Sequence, residues 1–337
     1  MRESNDRVRD AVTAAKLYYY HGLTTEAIAS ELSVSRPKVS RLLSFARERG
    51  LVEITIHDRD ENLAPLSSEI ERRFEITRVH PVPAPEVLGE VGWLERVAQY
   101  AANYLNRVLQ PGQIFGCAWG TTVSTISAHL VPRSIPGLKI VQLNGSGNTH
   151  TYDNRYAAHI LHAFGENYGA RVYLFPVPTF FDFAETKQAM WRERSISGIL
   201  SLQQDADVLL YSIGSVNAGV PSQIYSGEYL EPQDVKNLEA HGVVGDLATV
   251  FYREDGSYRD IEINARASGP PLELYRSVPQ AICVVSGKAK VPGLHAALKA
   301  RYLSELIVDE PTARALLAFD DRMGGDAGDV RVSPISS

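Results

Sequence analysis

The sequence is poor in cysteine and contains no long apolar run. Cys117 and Cys283 are its only cysteines, and both lie in apolar stretches, so we expect buried thiols rather than a disulfide or a metal pair. Nine histidines occur without an HExxH or CxxC pattern, which predicts neither a metal nor a cofactor. No run approaches the roughly 18 apolar residues of a membrane span. The charged N-terminus is unlike a secretory signal. We therefore expect a cytoplasmic protein without a membrane partner.

Neither sign of charge dominates the chain. Its 34 Lys and Arg against 40 Asp and Glu give a formal net charge of −6. Such a chain does not bind polyanions over its whole surface, so any affinity for phosphate must be local. The composition, 44% hydrophobic and 22% charged, is typical of a globular protein, and 337 residues suffice for two domains.

One segment near the N-terminus concentrates the cations. Residues 33–52 contain five Lys or Arg and a single acidic residue, Glu48. Helical spacing of apolar residues predicts two short helices joined by a tight turn at residues 33–34. Thr24 or Thr25 can cap the first helix, and Ser35 can cap the second, with Pro37 in its first turn.

The second of these helices has one apolar face and one basic face. Val39, Leu42 and Leu43 face inward, which leaves the cations outward at the start of a helix, as a DNA major groove requires. The alternative is an ordinary helical hairpin with a solvated basic face. The turn length, the Ser-Arg-Pro start and the N-terminal position favour DNA. The predicted DNA contacts are Thr25, Ser35, Arg36, Pro37, Lys38, Ser40, Arg41 and Arg47.

Four segments are expected along the chain. Residues 1–57 form a DNA-binding domain, with a first helix at 7–20 and a short strand at 51–56 that could serve as a wing. Residues 58–90 form a linker and connecting helix, with a helix at 64–74 and a proline-rich boundary or loop at 79–85. Residues 91–322 form a second domain, and the Gly/Asp/Ser-rich residues 323–337 a disordered tail.

The second domain alternates helices with short apolar strands. Near-continuous Val, Ile and Leu strands are buried on both faces, which predicts a mainly parallel sheet covered by helices, an α/β fold. Strands are predicted at 113–118, 138–143, 171–177, 207–213, 243–251, 280–285 and 305–309. Helices are predicted at 94–109, 123–130, 156–168, 187–202, 232–240, 292–300 and 311–317.

Three predicted strand ends carry small and polar residues. Such sheets bind ligands at the carboxyl ends of their strands. The three motifs could be capped helix starts and plain turns, but their common edge favours a pocket. A helix start with hydroxyls can hold an anion. The motifs contribute Gly120, Thr121 and Thr122 of 116–123 (GCAWGTTV), Asn144 and Gly145 of 143–148 (LNGSGN), and Gly214 of 212–215 (SIGS).

Four charged or polar side chains are further candidates for the pocket. Asp246 suits sugar hydroxyls, whereas Arg266 and Lys290 suit a phosphate. Asn264 shares a short motif with Arg266. Taken singly, each is more often a surface salt-bridge partner.

With these motifs assembled, residues 7 to about 320 resemble the SorC family of bacterial sugar-responsive transcriptional regulators. The resemblance implies a winged-type helix-turn-helix domain and a larger Rossmann-like effector domain similar to glucosamine-6-phosphate deaminase and ribose-5-phosphate isomerase. It also implies a homo-oligomer, dimer or tetramer, whose operator binding responds to a sugar phosphate. Phosphate contacts would fall on Thr121, Thr122 and Lys290, with Asp246 near the sugar. The motifs are 32–43 (LSVSRPKVSRLL), 119–122 (WGTT), 141–145 (VQLNG), 242–246 (GVVGD), 264–266 (NAR) and 306–317 (LIVDEPTARALL).

The chain departs from the family pattern at two positions. Ser146 follows Asn144-Gly145 where Asn-Gly-Gly is usual, and Ala265 replaces the middle residue of Asn-Asp-Arg. Some relatives carry Lys in place of Asn144, which would allow a Schiff base to an aldehyde. Asn cannot form one, so we expect reversible binding through hydrogen bonds.

Three functions fit this sequence to different degrees. The first is a ligand-gated regulator of carbohydrate genes that is not an enzyme. The second is a sugar-phosphate isomerase or deaminase with a fused DNA-binding head, for which Asp246 is the best base but lacks a partner set. The third, a sugar sensor that binds no DNA, leaves the Ser35-Arg36-Pro37 helix unexplained.

Overall fold

A computed structural model of the chain describes residues 2–52, 63–148, 155–215, 218, 220, 222–226 and 229–326. The chain divides into two compact units, Met1–Asp60 and Glu61–Ser337. No helix in the described ranges is long and apolar enough to cross a membrane.

The first unit contains the predicted helical hairpin together with a preceding helix that starts earlier than expected. Its helices are α1 (Arg2–Tyr19), α2 (Thr25–Glu31) and α3 (Arg36–Glu48). Small and branched apolar side chains from all three pack together, because alanines let the helices approach closely. This core comprises Ala11, Ala14, Ala15, Ile28, Val39, Leu42, Leu43 and Ala46.

The turn and the helix caps differ in detail from the prediction. Thr24, not Thr25, caps α2, and its hydroxyl accepts a hydrogen bond from the Ala27 amide at 3.2 Å. Ser35 occupies the N-cap position of α3, but its hydroxyl makes no capping hydrogen bond. Ser33 breaks the helical path between α2 and α3 with a left-handed φ of 52°. Of the predicted wing at 51–56, residues 53–56 lie outside the described residues.

The second unit alternates helices and strands, as predicted. Its strands are β1 (Arg78–Val82), β2 (Ile114–Cys117), β3 (Lys139–Gln142), β4 (Arg171–Tyr173), β5 (Val208–Tyr211), β6 (Ile213–Gly214), β7 (Val243–Leu247), β8 (Val250–Arg253), β9 (Gln280–Val285) and β10 (Glu305–Asp309). Its helices are α4 (Ala64–Phe74), α5 (Gly89–Val108), α6 (Thr121–Ala128), α7 (Arg155–Tyr168), α8 (Ala184–Met190), α9 (Arg194–Gln204), α10 (Gln223–Ser226), α11 (Pro232–Ala240), α12 (Glu273–Ser277), α13 (Val291–Lys299) and α14 (Glu310–Asp326).

The main sheet is parallel throughout, in the order β1-β10-β9-β5-β2-β3-β4, and β6-β7-β8 form a small antiparallel sheet. Successive side chains of a strand point to opposite faces of the sheet, and each face packs into its own hydrophobic core. Leu209 and Tyr211 of β5 face a core shared with α4, α13 and α14, whereas Val208 and Leu210 face one shared with α5 and α7. The predicted parallel α/β architecture is therefore confirmed.

From Leu63 onward, the segment expected to be a linker and connecting helix is instead part of the sheet unit. The predicted helix is present as α4, but it buries Leu66, Ile70 and Phe74 in the core. The proline-rich stretch forms β1, which pairs with β10 at the edge of the sheet. An edge strand tolerates Pro81 because, among the described residues, no strand pairs with the other side of β1.

Three further boundaries were predicted wrongly. The single strand expected at 243–251 is the hairpin β7–β8, and the single helix expected at 187–202 is two helices, α8 and α9. The disordered tail was placed from residue 323, but α14 continues to Asp326. Residues 327–337 lie outside the described residues.

Candidate functional sites

The strand order of the main sheet reverses between β2 and β5. The chain leaves β2 for β3 and β4 on one side, then returns to β5 on the other. Ligands of open α/β sheets bind outside the carboxyl ends of the strands at this point. A pocket lies there, lined by the ends of β2, β3, β5 and β9 and by the β7–β8 hairpin. We call it the switch-point pocket.

Seven of the ten predicted effector-site residues line the switch-point pocket. The strand-end principle brought five of them together although they lie far apart in sequence, whereas Asp246 and Lys290 were proposed from their charge and from the family resemblance. Their binding role remains a prediction. They are Gly120, Thr121, Thr122, Asn144, Gly214, Asp246 and Lys290.

One end of the pocket is the start of α6. Gly120 is its N-cap, with a φ of 145° that favours glycine, and as a glycine it has no side chain to cap the helix. Ser124 is the first residue whose amide reaches an acceptor four residues back, the Gly120 carbonyl, at 2.8 Å. A helix start of this kind presents amides and a positive dipole end suited to an anion.

Asp246 and Lys290 provide opposite charges within the same pocket. Only 4% of Asp246 and 7% of Lys290 is exposed. Burial raises the pKa of Asp246 to about 6, against the opposing effects of the Thr249 amide, the Tyr225 hydroxyl and the Lys290 charge. Burial likewise lowers the pKa of Lys290, and the negative charge of Asp246 acts in the other direction. The pocket therefore offers an acceptor for hydroxyls and a cation for an anion.

The pocket also collects polar atoms that have no hydrogen-bond partner. An unsatisfied buried polar atom costs about 1–3 kcal/mol, so such atoms are rare unless a ligand or water completes them. Carboxylate, amide and hydroxyl oxygens converging on one space are complementary to a polyhydroxylated ligand. Among the described residues that line the pocket, these atoms are Asn144 Oδ1, Ser212 Oγ, Asp246 Oδ1, Thr249 Oγ1 and Ser286 Oγ.

Two of these side chains were not singled out from the sequence. Ser286 follows the last residue of β9, so the strand-end principle could have found it. Thr249 lies within what looked like one continuous strand, and no sequence signal marks it as a pocket residue.

Three predicted effector-site residues do not line the pocket. Gly145 is needed for packing, since a Cβ there would lie 2.4 Å from the Val177 carbonyl oxygen. Asn264 braces β8, accepting from the Phe251 amide at 2.9 Å and donating to the Phe251 carbonyl at 2.8 Å. Arg266 forms a salt bridge with Asp234 at 3.2 Å. This is the alternative role that the sequence analysis gave for such a residue.

The polar face of α3 in the first unit is exposed as predicted. Val39, Leu42, Leu43 and Ala46 are buried on its other face, and Arg41 Nε donates to the Pro37 carbonyl at 3.3 Å. Thr25, at the start of α2, is half-buried, and Ser35 is exposed. The exposed candidate contacts on α3 are Arg36, Pro37, Lys38, Ser40, Arg41 and Arg47.

Metal-binding side chains do not cluster in the part of the chain that the structure describes. No three or more His, Cys, Asp or Glu residues come together there in a way that could hold a metal ion.

Comparison with known proteins places the chain in a family. Residues 58–318 match the family model "Putative sugar-binding domain". The deoxyribonucleoside regulator of Bacillus subtilis (strain 168) is 33% identical over 309 residues, which cover 91% of this chain and 96% of that protein. The chain belongs to the SorC family of sugar-binding transcriptional regulators.

Further relatives of this SorC-family regulator agree. The sorbitol operon regulator of Klebsiella pneumoniae is 28% identical over 319 residues, covering 94% of this chain and 99% of that protein. The crystal structure of the full-length sorbitol operon regulator SorC matches with a TM-score of 0.74 and 26% identity, covering 92% of this chain and 98% of that one.

A domain of a possible sugar-binding transcriptional regulator from Arthrobacter aurescens TC1 is 43% identical, with a TM-score of 0.71, covering 77% of this chain and all of that one. The predicted family and fold class are confirmed, and this SorC-family protein is a sugar-responsive transcriptional regulator.

Proposed function

We propose that this SorC-family regulator binds operator DNA through α3 and a phosphorylated sugar in the switch-point pocket, and that the sugar changes operator affinity. The observation that carries the proposal is the convergence of five unpartnered polar atoms beside the start of α6. A polyol with one anionic group would satisfy both parts of the pocket.

The two ends of the pocket recognise different parts of the sugar phosphate. The α6 start and Lys290 suit the phosphate, since amides and an ammonium group both favour an anion. Asp246 and Asn144 suit the sugar hydroxyls. Asn144 cannot form a Schiff base, so it contributes hydrogen bonds alone.

The exposed face of α3 supports major-groove binding. One small head contacts few phosphates, so a dimer or tetramer, with heads on half-sites one or more turns apart, supplies the avidity. The target genes are those of carbohydrate metabolism. A regulator of chromosomal operators works in the bacterial cytoplasm.

An isomerase or deaminase activity is the alternative. A carboxyl with a pKa of about 6, that of Asp246, is suited to proton transfer at neutral pH. Lys290 is the other titratable side chain among the described lining residues, and no His, Cys or Glu accompanies them. We therefore propose binding without turnover.

Loss of the anion site should abolish the sugar response. We expect Lys290→Met and Thr121→Ala each to bind operator within about twofold of wild type. The change in affinity caused by the sugar, commonly about 1–3 kcal/mol, should be lost. The measurement is fluorescence anisotropy of a promoter fragment with ribose, fructose and glucosamine phosphates and with the unphosphorylated sugars. Product analysis of the same mixtures tests for turnover.

Lys288→Met is the matched control for this test. Lys288 is two residues away and half-exposed, with Nζ 3.1 Å from Glu86 Oε1. It should keep the full response. A wild-type response in Lys290→Met would rule out the proposed anion site.

Base readout by α3 should depend on its first arginines. If Arg36 or Arg41 bonds guanine through two hydrogen bonds, its replacement by alanine costs about 1–3 kcal/mol and relaxes specificity at one position. Wild-type affinity should fall with salt at a log–log slope of roughly −0.9 per phosphate neutralised. Competition between operators with single base changes measures both effects.

Arg49→Ala is the control, because Arg49 caps the far end of α3 and lies over the Phe45 ring. Its replacement should either leave operator affinity unchanged or lower the affinity for all operators by the same factor. An unchanged ranking of operators in Arg36→Ala and Arg41→Ala would exclude both residues from base readout.

A further inference from the structure

The β7–β8 hairpin turns through two residues that are both in the left-handed region. Leu247 pairs with Val250, and between them Ala248 has a φ of 43° and Thr249 a φ of 76°. Two-residue turns with both φ angles positive favour Asn-Gly, and glycine above all at the second position. A β-branched residue is a conformational outlier there, so Thr249 is held at a cost that glycine would avoid.

The surroundings of the turn accommodate this backbone. The Thr249 amide donates to Asp246 Oδ2 at 3.1 Å. Gly269 leaves room for the turn, since a Cβ on it would lie 2.0 Å from the Ala248 carbonyl oxygen and 3.0 Å from Thr249 Oγ1. Both features accommodate the backbone alone. The hydrogen bond from the amide of residue 249 to Asp246 would form equally well with glycine at that position.

The Thr249 hydroxyl has no structural use among the described residues. Thr249 is fully buried, Oγ1 has no hydrogen-bond partner, and the residue lines the switch-point pocket with Asp246 and Ser286. A strained backbone and a desolvated hydroxyl are two separate costs, and glycine would remove both. The fold alone therefore does not account for threonine at this position.

We propose that Thr249 is a specificity-determining residue whose Oγ1 hydrogen-bonds a hydroxyl group of the sugar at the Asp246 end of the pocket. The inference rests on the proposed function and refines it. The start of α6 and Lys290 hold the anionic group, whereas the Thr249 hydroxyl distinguishes one pattern of sugar hydroxyls from another. Replacing Thr249 should therefore weaken the binding of sugar phosphates and leave the binding of inorganic phosphate unchanged.

The test compares Thr249→Val and Thr249→Gly in the full-length protein. Valine keeps the branched shape and removes only the hydroxyl, whereas glycine also relieves the backbone. Calorimetric titration uses ribose 5-phosphate, 2-deoxyribose 5-phosphate, fructose 6-phosphate, glucosamine 6-phosphate and inorganic phosphate. For the sugar phosphate that binds wild type best, both variants should bind about fivefold to tenfold more weakly, the effect of one hydrogen bond. The Tm of ligand-free Thr249→Gly should equal or exceed that of wild type.

Ala248→Gly is the matched control, because it relieves the neighbouring left-handed residue without removing a hydroxyl. It should bind the same sugar phosphate within twofold of wild type. Sugar-phosphate binding within twofold of wild type in Thr249→Val would overturn the inference. Equal weakening of sugar phosphate and inorganic phosphate, together with a lowered Tm in both Thr249 variants, would also overturn it, since that indicates a structural role. If wild type bound no sugar phosphate of the panel, the proposed function would fail as well.

Discussion

Gly214→Ala is expected to weaken sugar binding by about 10-fold to 150-fold while leaving operator affinity unchanged. Gly214 pairs with Asp246 across β6 and β7, and a Cβ on it would lie 1.9 Å from Asp246 Oδ1. The carboxylate must then turn away from the sugar end of the pocket. A hydrogen bond to a charged group contributes about 1.5–3 kcal/mol, which gives the expected range. Titration with the best-binding sugar phosphate measures it.

Gly198→Ala is the control for this substitution. Gly198 lies on α9, and nothing is within 4 Å of the position its Cβ would take. The same chemical change should leave sugar binding intact and stabilise the helix by about 0.5–1 kcal/mol. Wild-type sugar affinity in Gly214→Ala would show that the position of the Asp246 carboxylate does not matter for binding.

Asp246→Asn is expected to make the ligand-free protein more stable at neutral pH, by up to about 3 kcal/mol. Burial raises the pKa of Asp246 from its ordinary value of 3.8 to about 6, and the difference corresponds to that energy. Below pH 3.8 both folded and unfolded chains hold the proton. As pH rises, the unfolded chain ionises first, so the contribution of Asp246 to the free energy of unfolding falls until about pH 6 and is constant above it.

Asparagine lacks this titration and can still accept from the Thr249 amide. The raised pKa already includes the opposing effect of the Lys290 charge. Urea unfolding of both proteins between pH 4.5 and pH 7.5 measures the effect, because subtracting the two curves cancels the other titrating groups. The difference should grow with pH up to about 6 and then level off. A difference independent of pH would contradict the assigned pKa.

The features that could be predicted from the sequence are the helices and strands, which follow from repeating apolar patterns, and the pocket residues that lie at strand ends. The carboxyl ends of parallel strands meet at one edge, so Thr121, Asn144 and Gly214 could be brought together without knowing the sheet order, whereas Lys290 was proposed from its charge. The errors came from long-range partners, which a single sequence does not reveal. Arg266 was predicted in the pocket because the sequence does not reveal that Asp234 lies beside it. The proline-rich stretch that forms β1 was predicted as a boundary or a loop because the sequence does not reveal its pairing with β10.

The hairpin at Thr249 was missed for a different reason. Its turn lacks the Asn-Gly signature on which hairpin prediction depends, so an apolar run appeared to continue through it. Local rules fail where a residue is kept against its conformational preference, and such positions are expected at functional sites.

The pairing of β1 with β10 has a consequence for how the protein is made. During synthesis β1 emerges early, but β10, the strand that it pairs with among the described residues, is among the last segments to leave the ribosome. Contacts between such distant parts of a chain slow folding. The sheet of the second unit therefore cannot be completed until translation has almost ended. The described core residues of the first unit, by contrast, all lie within the first fifty residues of the chain.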